Sequence, residues 1–188
     1  MNYYISDMHF GHKNILRIDH RPFSSLEEME TVMVERWNRR VTGADKVYVL
    51  GDAFWKTEDG LRLMPLLKGE KHLILGNHDP QSGPLFDCWK TVSHYADLRD
   101  GSRRVILSHY PSPFYNGHYH GTVMLYGHVH NSREWEILEQ WKRQLWQQHI
   151  PGNFINVGCM LDYMDYTPRT LEELLAANSE PEHIGRKP

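Results

Sequence analysis

The chain has 188 residues, 40% hydrophobic and 24% charged, with a formal net charge of −3. That length supports one domain with a sizeable core, and a mildly negative chain without a basic tract lacks a strong nucleic-acid footprint. Two cysteines, Cys88 and Cys159, are too few for a disulfide framework and read as reduced thiols. No N-terminal apolar run resembles a signal peptide and no stretch is long enough to cross a membrane, so a cytoplasmic chain is predicted.

In chain order, Tyr3-Tyr4-Ile5 reads as a short apolar strand that ends in Ser6-Asp7-Met8-His9. Ser25-Leu26-Glu27-Glu28 has the form of a capping box. The helix it predicts carries Leu26, Met29, Val32, Met33 and Trp37 at helical spacing and leaves at Gly43. Val47 to Leu50 is a buried strand stopped by Gly51-Asp52, and a short helix is expected over Leu61 to Leu67, against Pro65. His72 to Leu75 is the next strand, stopped by Gly76-Asn77-His78-Asp79-Pro80.

Asp100-Gly101 marks a hairpin, after which Val105 to Leu107 runs into Ser108-His109. Val123 to Tyr126 runs into Gly127-His128-Val129-His130. Residues 132–149 read as a helix with Trp135, Leu138, Trp141 and Leu145 on one face. Phe154 to Val157 reads as the last core strand, and Thr170 caps a short acidic helix, Leu171 to Ala177. The domain is predicted over residues 1–177, with a polar, frayed tail at 178–188.

Five apolar strands thus end in clusters of Asp, Asn and His, and α/β sheets place their sites at the carboxyl ends of strands. The chain carries 13 histidines, and histidine is the commonest metal ligand. In Asp7-x-His9 and His128-x-His130, alternate residues past a strand end are expected to point the same way. Asp7, His9, Asp52, Asn77, His109, His128 and His130 make seven oxygen or nitrogen donors. One transition metal seldom takes more than about six, so two ions with a shared ligand are expected. Asp52 is the candidate bridge, since a carboxylate has two oxygens. A donor set without thiolate suits Mn²⁺ first, with Fe or Zn²⁺ as alternatives.

Other residues carry weaker signals. Gly117-His118-Tyr119-His120 repeats the G-H-x-H form but precedes its strand, and reads as a loop over the site. His12 and Asn14 follow the first donor pair, and with Arg21 they are candidates for contact with substrate or support of the ligands. Lys13, Arg17 and Arg21 form either a phosphate-receiving rim or a solvated face. His20, His72, His94, His149 and His183 read as surface or packing residues, and Trp135, Trp141 and Trp146 as core or a homodimer contact.

Taken in order, Asp7-Met8-His9, Gly51-Asp52, Gly76-Asn77-His78-Asp79, His109 and Gly127-His128-Val129-His130 resemble the signature of the calcineurin-like metallophosphoesterase superfamily. Phe10 to Ile15, Arg21-Pro22-Phe23 and Asn156-Val157-Gly158 resemble a small, compact bacterial and phage-type branch. The resemblance implies a four-layer α/β/β/α sandwich of two mixed sheets. It assigns Asp7, His9, Asp52 and His130 to one metal, and Asp52, Asn77, His109 and His128 to the other. It makes His78 the acid that protonates the leaving oxygen, with Asp79 orienting it, and water activated by the two ions the nucleophile. The expected substrate is a phosphate ester, leaning to a phosphodiester of small or nucleotide-like character. A phosphomonoesterase and a catalytically silent protein-binding scaffold are the alternatives.

Overall fold

The computed structural model describes residues 1–179. Most of the expected tail, and His183, lie outside the described residues. Short strands of β-branched and aromatic residues alternate with helices in the order β1 (Asn2–Ile5), α1 (Ile15–Ile18), α2 (Leu26–Arg40), β2 (Lys46–Val49), α3 (Thr57–Leu63), β3 (Glu70–Ile74) and β4 (Thr91–Ser93). The second half gives β5 (Tyr95–Asp100), β6 (Arg103–Ser108), β7 (Val123–Tyr126), α4 (Arg133–Gln147), β8 (Phe154–Asn156) and α5 (Leu171–Ala177).

The strands form two sheets, β1-β2-β3-β4 and β5-β6-β7-β8, each in chain order. All pairs of the first sheet are parallel, and only a single bridge, Tyr4 to Arg169, is antiparallel there. The second sheet is mixed, because the Asp100-Gly101 turn folds β5 back onto β6 before β6, β7 and β8 run parallel. The sheets meet where β1 continues beside the segment after β8: Ser6 N donates to Val157 O at 2.9 Å and Cys159 N to Ser6 O at 3.0 Å.

Period-two alternation separates the faces of the second sheet. Val105, Leu107, Val123 and Leu125 enter the large core shared with the first sheet, while Ile106, Met124 and Tyr126 pack with Leu145 of α4 and Phe154. Helix α2 sends Met29, Met33 and Trp37 into the large core. The result is two sheets face to face with helices outside them. Among the described residues no helix is long and apolar enough to cross a membrane.

Local signals hold with shifts. Ser25 caps α2 by accepting from Glu28 N at 3.1 Å, but the Glu28 carboxylate accepts from Ser24 N and not from Ser25. The full capping box forms at Thr170 and Glu173 instead. The helix expected from Leu61 starts at Thr57, where Glu58 and Asp59 favour a first turn, and tightens to a 3₁₀ turn over Met64–Leu66, which contains Pro65. The tryptophans of α4 do not share one environment: Trp135 packs on the large core, and Trp141 is 38% exposed against Phe114.

Candidate metal centre

The five polar clusters follow β1, β2, β3, β6 and β7, so three come from one sheet and two from the other. They converge because the two sheets face each other with these ends together, and not along one sheet edge. Strand alternation does not aim the donors either. Asp7, His9, Asp52, His128 and His130 all sit at left-handed backbone, with φ of 55°, 49°, 53°, 72° and 48°. Asp, Asn and His tolerate that region better than other side chains. Each D-x-H or H-x-H pair is therefore a double kink that turns two side chains inward. Two glycines allow the close approach: a methyl at Gly51 (φ 88°) would strike the His109 ring and Gly76, and one at Gly127 would strike Ser6 and Asp7.

The donor atoms cluster in two groups. In the first, His9 Nε2 lies 3.2 Å from His130 Nε2, and His130 Nε2 lies 3.7 Å from Asp7 Oδ1. In the second, Asn77 Oδ1 lies 3.0 Å from His109 Nε2 and 2.9 Å from His128 Nδ1, and those two nitrogens are 3.2 Å apart. Asp52 Oδ2 stands between the groups, 3.7 Å from both His9 Nε2 and His109 Nε2. Two ligands bound to one ion at about 2.0–2.2 Å are themselves about 3 Å apart, so these spacings suit metal coordination. Asp7, His9 and His130 have ligand atoms mutually within 4.8 Å, as do Asp7, Asp52 and His109. Asp7 therefore borders both groups, which the sequence did not indicate.

Partners outside the cluster fix the rings. His130 Nδ1 pairs with Asp19 Oδ1 at 2.7 Å, and His109 Nδ1 with Leu50 O at 2.8 Å, leaving Nε2 of each toward the centre. His9 is held neutral: burial, with the charges of His130 and Arg21, lowers its pKa to about 2, and a neutral imidazole keeps the lone pair a metal needs. Burial raises the Asp7 carboxyl, against the opposing pull of His130 and His109. Burial and His109 lower His128. An all oxygen-and-nitrogen set with four imidazoles and two buried carboxylates fits hard or borderline divalent ions.

Three expectations are corrected. Arg21 belongs to no exposed rim: only 4% exposed, it donates to Asp7 O and Met8 O, both at 2.8 Å, and pairs with Asp19 at 2.8 Å. It supports the backbone at Asp7 and Met8, in keeping with the supporting role that is the other expectation for it. Asp79 does not orient His78. Its carboxylate accepts from Asp52 N (2.8 Å), Gly76 N (2.9 Å) and Ala53 N (3.1 Å), tying two ligand loops together. The Gly117 to His120 segment does not cover the site, because it lies before β7 while the centre lies after it, and it packs with Tyr115, Phe114 and Thr122.

His78, Asn77 and His128 are exposed and form the open mouth. The His78 amide donates to Asp52 Oδ1 at 2.9 Å, and its ring lies 5.6 Å from that of His9. His12 lies 5.7 Å from His9, whereas Asn14 is exposed at the start of α1 with no side-chain hydrogen bond to the helix. Lys13, Arg17, His20, His94 and His149 are exposed; His72 is buried between Thr91 and Glu70. Asp19 escaped the sequence reading, since nothing in its spacing marks it. Asn156 supports His130 by donating to its carbonyl at 2.9 Å, and the Cys159 thiol, pushed up to about 12 by burial, donates to Asp7 O.

No family model matches the chain. The uncharacterized protein MJ1445 of Methanocaldococcus jannaschii is 34% identical over 131 residues, 68% of each chain. A protein of unknown function from Aquifex aeolicus, AQ665, has a crystal structure that superposes with a TM-score of 0.72 at 25% identity, covering 94% of this chain and 98% of its own. The nuclease MPE of Pseudomonas putida superposes with a TM-score of 0.44 at 19% identity, over 69% of this chain and 61% of its own.

Proposed function

We propose that the chain, which belongs to one family with the uncharacterized Methanocaldococcus protein, is a metal-dependent hydrolase of phosphate esters of the calcineurin-like metallophosphoesterase kind. The observation that carries the proposal is the position of Asp52 Oδ2, 3.7 Å from an imidazole nitrogen of each donor group. One carboxylate so placed can serve two ions at once.

In this reading Asp7, His9, Asp52 and His130 hold one divalent ion, and Asp52, Asn77, His109 and His128 hold the other. Two bound ions would supply Lewis acidity toward the phosphate oxygens and acidify water at neutral pH. The chain does the rest. Asp19 and Leu50 O keep His130 and His109 turned inward. Arg21 and Asp79 hold the loops that carry Asp7 and Asp52. His78, exposed at the mouth beside Asn77, is placed to give a proton to the departing oxygen. We favour Mn²⁺, because the donor set has no thiolate, and a diester over a monoester, because the mouth is open on the His78 and His128 side.

The test is hydrolysis of bis-aryl and aryl phosphates by Mn²⁺-loaded protein. Activity is expected with the bis-ester faster, and Asp52→Asn should abolish it. Equal turnover by Asp52→Asn and the parent would sink the proposal.

A further inference from the structure

Two exposed aromatic side chains flank the mouth: Trp55, 38% exposed, and Tyr110, 50% exposed. Neither belongs to the donor set. The Trp55 indole stacks face to face on His12, with centroids 3.8 Å apart and planes 11° from parallel, and lies 5.0 Å from the His78 ring. Tyr110 stands beside the second donor group, 4.6 Å from the His128 ring and 5.0 Å from that of His109.

The stack is fixed to the backbone that carries the ligands. Trp55 N donates to Phe10 O at 2.8 Å, and His12 N to His9 O at 3.0 Å. A rigid, exposed indole beside a polar mouth leaves apolar surface in water unless something covers it. Proton donation requires His78 within about 2.6–3.2 Å of the leaving oxygen. Whatever that oxygen carries is then brought against Trp55.

Resting on the phosphoesterase reading, we infer that Trp55, backed by His12, is a stacking platform for a planar leaving group, so that the preferred substrates are phosphate esters of nucleosides. The base extends the His12–Trp55 stack. Tyr110 offers a second ring to the substituent on the far side of the phosphorus. Stacking is tolerant of base identity because every base has a flat face, so selection is for a nucleoside and against a bare sugar or alkyl group.

The test compares AMP with ribose 5-phosphate, which differ only in the base. Binding to Mn²⁺-loaded protein is measured by calorimetry, and inhibition of aryl phosphate hydrolysis in parallel. AMP is expected to bind about tenfold tighter or more. Trp55→Leu should bring the two ligands within about twofold, while Trp55→Phe, which keeps a flat ring, should retain most of the difference. Calorimetric Mn²⁺ binding by both variants shows that they are folded. Equal binding of the two ligands by the parent, or an undiminished preference in Trp55→Leu, overturns the platform. Hydrolysis without an AMP preference removes the platform alone. An AMP preference that Trp55→Leu abolishes, in a protein that cleaves no phosphate ester, keeps the platform and removes the enzymatic reading.

Discussion

Asp19 shows how a residue outside the donor set governs it. Its carboxylate is shared between His130 and Arg21, with the Asp19 side chain only 3% exposed. His130 and Arg21 hold the carboxyl low even though burial alone would raise it. We predict that Asp19→Asn lowers Mn²⁺ affinity by about 10–100-fold, the usual cost of losing such an orienting partner. Competition with a chelator measures this, and an unchanged affinity would mean that His130 needs no orientation by Asp19. The seven donors could be read from the sequence because each ends an apolar run. Asp19 could not, since it joins His130 only through the fold. For Arg21 the sequence left a substrate contact and a supporting role open, because position near a ligand motif does not reveal which way a long side chain runs.

At the level of elements, the loops after β2 and β3 act as one unit. The Asp79 carboxylate binds amides from both, and the Asp52 carboxylate returns the contact through the His78 amide. An Asn at 79 offers one carbonyl oxygen where three amides need acceptors. We expect Asp79→Asn to lower the stability of the metal-free protein by about 1–3 kcal/mol, the cost of a buried donor left without a partner. Urea unfolding followed by circular dichroism checks the loss, and a midpoint equal to the parent's would show that water replaces the acceptor. Sequence reading located these loops but missed their kinks. Strand alternation seemed to explain Asp7-x-His9 and His128-x-His130, whereas left-handed backbone does so. Helix starts at Ser25 and Thr170 were legible from their capping residues. The start of α3 was hidden, because Lys56 gives no side-chain cap.

At the scale of the molecule, five similar strands gave no indication of how they divide between sheets. The division follows long-range pairing, which periodicity does not encode. It has an energetic corollary. Ions bound between Asp7, His9, Asp52 and Asn77 on one sheet and His109, His128 and His130 on the other would bind only the folded state. We predict that Mn²⁺ at about 100 times its dissociation constant adds roughly 2.7 kcal/mol per site, or about 5–10 °C in melting temperature. Calorimetric melting with and without Mn²⁺ measures it, and a melting point indifferent to Mn²⁺ would exclude a centre that spans both sheets.

The same division sets a timetable for synthesis. Strands β1 to β4 come wholly from residues 2–93, and β5 to β8 from residues 95–156. The growing polypeptide therefore displays Asp7, His9, Asp52 and Asn77 first, a set rich in oxygen with a single imidazole. The remaining three imidazoles leave the ribosome only afterwards. A cation that settles early meets half a cage, and the full set of donors gathers only when the second sheet closes on the first.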